Sequence, residues 1–466
     1  MISSPKSHTA SSSRSGTSAL LDQSALSALA QRLVEAAKRA GADAADAVAV
    51  RGISQSVEVR DGKVEESERS EGDDVGLRVL VGRRQAVVST NDVGGDSVAK
   101  LAERAVAMAR VAPDDAFVGL ADASLLAREF PDLDLLDPVV PSTADLEKRA
   151  QEAEVAALDV KDVKKSGGAS ASAGIGGMVL VTSTGFHGSY LRSSQSVSVT
   201  AIAGSGTGME RDYDFTSAIH AADLSAPRDV GERAGKRSVA RLNPRKVATC
   251  KVPVVFDPRV AGSLVGHLVA AINGTSITRK TSFLKDRLGQ QLFDTGVRII
   301  DDPLRVRGLR SQTFDAEGVV VKKLAIIDEG VLTSWLLDTA TARELGLVTT
   351  GHAHRGVSSS PSPGSYNLHM EAGEPTPAEL ISDIKQGFYV TDLIGSGVNG
   401  VTGDYSRGAS GFWIENGEMT YPVSEVTIAG HLLPMFKSLV PANDLEFRYG
   451  VNAPTLRIEG LTLGGR

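Results

Sequence analysis

The chain has 466 residues, which at roughly 100–200 residues per domain points to two to four domains with room for real cores. Apolar residues make up 41%, charged residues 23% and aromatics only 5%, and 50 Lys plus Arg stand against 57 Asp plus Glu for a net charge of −7; this disfavours base-stacking platforms and offers no global attraction for phosphate backbones or anionic lipid. Cys250 is the single cysteine, which excludes an intramolecular disulfide or a Cys-x-x-Cys site and fits a reducing compartment, the cytoplasm.

Residues 1–20 are rich in Ser and Thr, carry Lys6 and Arg14, contain no acid, and read as a disordered tail. No stretch approaches the roughly 18 apolar residues that cross a bilayer, so a soluble protein is expected. The first helix runs from about Asp22 to Ala40, with Leu26, Leu29, Ala30, Leu33, Val34 and Ala37 at helical spacing and Gly41 as a stop. Alternating Val48 and Val50 lead to Ser56-Val57-Glu58-Val59-Arg60, and Asp61-Gly62 supplies the positive φ of a hairpin turn into Lys63-Val64-Glu65. Val75, Leu77, Val79 and Val81 alternate, turn at Gly82-Arg83-Arg84 and return through Ala86-Val87-Val88. A second helix spans about Gly95 to Val111, and after a Pro- and Asp-punctuated connection Ser142 caps a third through Leu146, Ala150, Ala153 and Ala157. From Gly167 to His220 the Ser, Thr, Gly and β-branched composition predicts a β-meander.

Pro227 opens a helix to about Leu242, stopped by Asn243-Pro244. Lys251–Phe256 reads as a strand, and Val260, Ala261, Leu264, Val265, Leu268, Val269 and Ile272 define a helix ending at Asn273-Gly274. Strands are expected at Val297–Ile300, Val319–Ile327, Val331–Leu336 and Gly411–Glu415, a helix at Pro377–Gln386, and a hairpin turn at Glu415-Asn416-Gly417-Glu418. The fold class is therefore α+β: an N-terminal α+β domain over 21–225 with an antiparallel sheet and helices, then a β-rich domain over 226–466 of barrel or sandwich type.

Among residues that carry chemistry, the Gly-rich pieces 174–177, 204–208 and 395–400 lack the strand-to-helix context and the Gly-Lys-Ser/Thr step of a phosphate loop, and read as turns. His352-Ala353-His354 puts two imidazoles on one side of an extended segment, which Asp301, Asp302 and His369 would have to complete as a metal shell. The Ser-, Pro- and Gly-rich run from His352 to Pro363 reads as a mobile loop, which speaks against a pre-organised site. Ser263 and His267 lie one turn apart on their helix, yet no acid is placed to orient the His and no Gly-x-Ser-x-Gly surrounds the Ser.

Several blocks occur in one order along nearly the whole chain: Val79-Leu80-Val81-Gly82-Arg83, Val254-Val255-Phe256-Asp257-Pro258, Leu264-Val265-Gly266-His267, Ser282-Phe283-Leu284, Leu288-Gly289 and Asp301-Asp302-Pro303. They continue through Phe314-Asp315-Ala316-Glu317-Gly318, Asn367-Leu368 with Gly373, Thr402-Gly403-Asp404-Tyr405-Ser406-Arg407-Gly408, Gly411-Phe412-Trp413-Ile414-Glu415-Asn416-Gly417-Glu418 and Pro454-Thr455-Leu456-Arg457-Ile458. On these blocks the chain resembles the TldD/PmbA family, whose two sister types, TldD and TldE (PmbA), pair as a heterodimeric metallopeptidase.

In the TldD type the helix carries His-Glu-x-x-x-His, two metal ligands and a Glu that activates water. Here Gly262 stands at the first His, Ser263 at the Glu, and only the second His remains, as His267. The TldD type also has a metal-binding Cys near its C-terminus, where this chain reads Ala442-Asn443-Asp444-Leu445-Glu446. The resemblance therefore implies a TldE (PmbA)-type subunit with no catalytic residue, no metal and no other cofactor of its own. It further implies a TldD-like partner that holds the metal, zinc by ligand type, and unfolded peptide as substrate, with neither nucleic acid nor membrane as partner. A homodimer is the alternative assembly for the chain alone. Two rivals stay open: a modulator protein without a peptidase partner, as family members once described as modulators of DNA gyrase suggest, and an independent hydrolase using His352, His354, His369 or the Ser263 and His267 pair.

Overall fold

The computed structural model describes residues 22–92, 94 and 97–465; the predicted tail and the expected start of the second helix at Gly95 lie outside them. Helix α1 (Ser24–Arg39) buries Leu26, Leu29, Ala30, Leu33, Val34 and Ala37, the stripe its periodicity marks. Strands β1 (Ala44–Arg60) and β2 (Lys63–Val81) form the Asp-Gly hairpin, with φ of 52° at Asp61 and 73° at Gly62. β3 (Arg84–Thr90) returns along β2 and is followed by α2 (Ser97–Val111) and α3 (Thr143–Leu158). Ser142 caps α3 through a capping box with Asp145. The meander then runs β4 (Val163–Thr182), β5 (His187–Ala203), β6 (Glu210–Ala218) and ends in α4 (Pro227–Ala240). The strands make one six-stranded sheet in the order β3-β2-β1-β4-β5-β6, antiparallel throughout.

Strand alternation divides this long sheet between two partners. On one face α1 and α2 cover Ala45, Ala47, Ala49, Leu77 and Val79, while α3 and α4 cover Val57, Val59, Ala171, Val197 and Val199. Helix α4 lies so close to α3 that a Cβ at Gly231 would stand 2.2 Å from the Ala153 carbonyl oxygen. Its packing joins α4 to the N-terminal sheet, past the division expected at 225. The opposite face presents Val48, Val50, Met178, Leu180 and Tyr190 to Phe314 and Val357 of the C-terminal part.

That part begins with β7 (Cys250–Phe256) and α5 (Pro258–Ile272), followed by β8 (Ile299–Asp301), β9 (Leu324–Asp328), β10 (Val331–Leu332) and β11 (Leu368–Met370). β12 (Gln386–Ile394), β13 (Asp404–Glu415), β14 (Glu418–His431), β15 (Val451–Asn452) and β16 (Leu456–Gly464) complete it. Strands β14, β13, β12, β7 and β16 pair in sequence, and β16 pairs back to β14, which closes a five-stranded barrel. A smaller sheet runs β10-β9-β8-β11-β15, and α5 packs between the two with Leu264, Val265, Leu268 and Ile272 in the main C-terminal core.

Several boundaries move. The strand expected from Val319 begins only at Leu324, because Asp315 pulls the preceding chain into a tight turn by accepting the amides of Glu317 and Val319 at 2.9 Å. The strand expected over Val331–Leu336 is a ladder at Val331 and Leu332 alone, after which Leu336 makes a separate bridge to Asn273. The helix at Pro377 stops at Ser382, since Gln386 already pairs with Glu415 in the barrel. Gly174-Ile175-Gly176-Gly177, expected as a turn, lies within β4.

Candidate functional site

Helix α5 starts where Asp257 accepts the Arg259 amide at 3.0 Å and Pro258 occupies the first turn. Its apolar stripe points into the core, which turns Gly262 toward β15 and His267 toward β13. At Gly262 a Cβ would lie 3.0 Å from the Val451 carbonyl oxygen. The Ser263 hydroxyl donates to the Val260 carbonyl of its own helix at 2.6 Å, so it is turned back along the helix. The His267 ring meets Tyr405 edge-on at 6.0 Å.

Three buried polar atoms gather here without a hydrogen-bond partner among the described residues: His267 Nε2, Tyr405 Oη and Arg407 Nε. Burial, reinforced by the Arg407 charge, pushes the His267 imidazole down to about 4. Burial also raises the Tyr405 phenol, with Arg407 opposing. At neutral pH the cluster is therefore a neutral imidazole, a neutral phenol and a guanidinium. Such a donor set does not fit a divalent ion: it offers one imidazole, no carboxylate, and a fixed positive charge beside the only ligand. Its chemistry is that of two neutral hydrogen-bonding groups, each able to donate or accept, and one cation.

The second histidine group is also buried. His352 is 1% exposed and its Nδ1 bonds to the Thr350 carbonyl and hydroxyl at 2.8 and 2.9 Å. Its Nε2 lies 3.5 Å from Asp301 Oδ2, and that carboxylate already accepts the Tyr366 amide at 2.8 Å. The His354 ring meets the Tyr366 ring at a tilt, 4.6 Å between centroids, and His352 also touches that tyrosine; burial, helped by His352, pushes His354 down to about 4. The structure thus brings His352, His354 and Asp301 together but leaves out His369, which packs on Phe447, and Asp302, which accepts the Leu304 amide. Among the described residues no group of three or more His, Cys, Asp or Glu is placed to hold a metal. The segment read as a mobile loop is anchored instead. Ala353–His354 pairs with Ser362–Pro363, and Arg355 reaches Asp46 on β1.

Sequence reasoning missed three features that depend on long-range contact. The Asp46 carboxylate takes Arg78 at 2.6 Å and Arg355 on its other oxygen, all three buried. A cavity of about 600 Å³ runs over β2, β1, β4 and β5, where Gly72, Gly52 and Gly176 align across three strands and Arg192 stands at the fourth. Asp212 and Asp214 on β6 gather five arginines: Arg233 and Arg237 of α4, Arg241 just after it, Arg259 of α5 and Arg448 before β15. A period-two acid pair beside Arg233 and Arg237 at helical spacing is the sequence signal for the last of these. No helix among the described residues is long and apolar enough to cross a membrane.

Comparison with known proteins gives a consistent result over most of the chain. Three PmbA/TldA metallopeptidase domains match in order: domain 1 over residues 45–109, the central domain over 136–242 and the C-terminal domain over 249–465. The chain is 37% identical over 426 residues to Metalloprotease PmbA of Escherichia coli O157:H7, covering 91% of this chain and 93% of that one. It is 37% identical over 438 residues to the Metalloprotease PmbA homolog of Haemophilus influenzae, covering 93% and 94%. Among solved structures, a Bacteroides thetaiotaomicron protein provisionally assigned as a modulator of DNA gyrase superposes with a TM-score of 0.88 at 28% identity, over 95% of this chain and 99% of that one. TldE from Thermococcus kodakarensis shares the fold with a TM-score of 0.82 at 19% identity, over 94% and 100%.

Proposed function

The chain belongs to the PmbA/TldD metallopeptidase family, and from that premise we propose that it is the TldE-type subunit of a two-chain peptidase acting on unfolded peptides in the cytoplasm. In this reading a TldD-like partner supplies the metal and the water-activating Glu, and this chain supplies the other wall of the peptide chamber. One observation carries the proposal: at the helix where the resemblance puts the TldD type's metal ligands, Gly262 and Ser263 bring neither imidazole nor carboxylate and Arg407 sets a positive charge beside His267. A family member built this way is suited to hold substrate and ill suited to hold zinc. The groove over Gly52, Gly72 and Gly176 has a floor without side chains across three strands, which favours an extended backbone as its occupant.

The test is peptide hydrolysis by the purified chain alone, by a TldD-like subunit alone and by the mixture, with metal content measured on each. Turnover and stoichiometric metal only when the partner is present are expected. Metal-dependent turnover by this chain alone would overturn the proposal and turn attention to His352 and His354.

A further inference from the structure

Strand β6 alternates so that Asp214 faces α4, which presents Arg233 and Arg237 one turn apart. The Asp214 carboxylate, 2% exposed, accepts Arg233 Nε on one oxygen at 2.6 Å, and Arg237 Nη1 and Arg448 Nη2 on the other at 2.8 and 3.0 Å. Arg448 is fixed further by donating to the Phe215 carbonyl at 2.6 Å. Burial alone would raise the Asp214 carboxyl, but the three arginines outweigh it and hold the group below its ordinary range. One buried carboxylate thus gathers three guanidiniums while engaging a single nitrogen of each.

These three arginines line a cavity of about 460 Å³ together with Thr216 and Ser217. Two acids share the lining. Asp223 is taken by Arg307 at 3.1 and 3.2 Å, whereas Glu446 makes no ion pair among the described residues. The charge facing the hollow is therefore positive, with the surplus held by donors already oriented. A second hollow of about 300 Å³ continues it, sharing Ser217, Asp223 and Phe447. There Arg305 lies over the half-exposed Phe447 ring, 3.4 Å from its centroid. Asn452, which also lines the second hollow, follows Val451, the residue against Gly262, so the strand that borders the second hollow is the one packed on helix α5.

We propose that the Arg233, Arg237 and Arg448 hollow binds the carboxylate of a peptide, with Phe447 and the second hollow receiving the neighbouring residue. Forked guanidiniums match a planar carboxylate through paired N–H donors, and Asp214 orients those forks before any ligand arrives. That the carboxylate belongs to a peptide rests on the function proposed above. The same chemistry is offered by a C-terminus or by an acidic side chain, and the test separates them.

The experiment is fluorescence anisotropy of the full chain with three N-terminally labelled pentapeptides, all with a central Glu or Gln: one with Glu and a free C-terminus, the same peptide amidated, and the free acid with Gln. Inorganic phosphate serves as competitor. We expect Arg233→Gln to weaken binding of the first peptide at least tenfold and Glu446→Gln, at an exposed rim residue, to tighten it several-fold. Loss on amidation assigns the terminal carboxylate and loss on Glu replacement assigns the side chain; both uphold the site. Absence of saturable binding, binding unmoved by either variant, or phosphate binding as tight as peptide would overturn it. Because the readout needs neither partner nor turnover, failure of hydrolysis by the two-chain mixture leaves this result standing, and the reverse also holds.

Discussion

The Val357 carbonyl oxygen sits so close over Gly76 of β2 that a Cβ at Gly76 would lie 1.8 Å from it. This contact seats the segment after His354 on the N-terminal sheet and brings Arg355 to Asp46. Gly76→Ala therefore forces either β2 or the segment to move, and in a packed interior such insertions cost about 1–3 kcal/mol or more. We expect a drop of at least about 2 kcal/mol in unfolding free energy, with new proteolytic cleavage between residues 355 and 360. An alanine variant with an unchanged urea midpoint would sink this account of the junction.

Asp46 itself gives a second prediction. Burial would raise its carboxyl, but Arg355 and Arg78 together hold it below the ordinary aspartate range. A carboxylate lowered in the folded state contributes stability above its unfolded pKa and loses it only as pH falls through the folded value. Removing one member of a buried ion pair costs about 3–5 kcal/mol. Arg355→Met is expected to cost about 3 kcal/mol, and the difference from wild type should stay constant from pH 8 to pH 5. A difference that vanishes already at pH 5 would show that Asp46 is not held ionised.

His354 has the same sign but acts within that range. Its imidazole is lowered from 6.5 to about 4, so the unfolded chain binds the proton first. The contribution is present above pH 6.5 and declines as pH falls toward 4. At pH 5 the loss amounts to about 2 kcal/mol from this group. His354→Leu should flatten the decline in stability between pH 7 and pH 5 by about that amount. Guanidinium unfolding at both pH values measures it, and an unchanged slope would mean that the ring is accessible to protons in the fold.

What the sequence made legible was local. The stripe of Leu26, Leu29 and Leu33 and the Asp61-Gly62 turn are set by neighbours within one element, and the structure has them as expected. Gly174–Gly177 was misread because a Gly-rich run carries no strand signal of its own; β1 and β5 on either side supply the pairing that keeps it extended. His352 and His354 looked like loop residues because the Ser, Pro and Gly around them are loop-like, while their burial comes from Tyr366 and Asp301. The Asp46 and Arg355 pair spans 309 positions, a separation at which no pattern in the chain pairs an acid with a base. At the candidate site, helical spacing brought Ser263 and His267 together and the family resemblance added Gly262, but the charge that Arg407 brings to His267 needed the barrel to place β13 against α5.

That charge leads to the last prediction. Gly262→His and Ser263→Glu would give two imidazoles and a carboxylate on one helix, at the spacing that the resemblance implies for the TldD type. Two obstacles remain. The new Cβ at position 262 would stand 3.0 Å from the Val451 carbonyl oxygen, so β15 has to yield by a few tenths of an ångström. A dication would also meet the Arg407 guanidinium, and at an effective dielectric of about 20 that repulsion is roughly 4–8 kcal/mol over separations of about 4–8 Å. Apparent zinc binding in structural sites is worth about 10–16 kcal/mol with a complete set of thiolate or imidazole ligands, and this site would still lack its third protein ligand. The double variant is therefore expected to hold substoichiometric zinc after dialysis, and adding Arg407→Gln should raise the zinc content above that of the double variant. Full occupancy with Arg407 in place would show that the guanidinium is turned away from the site.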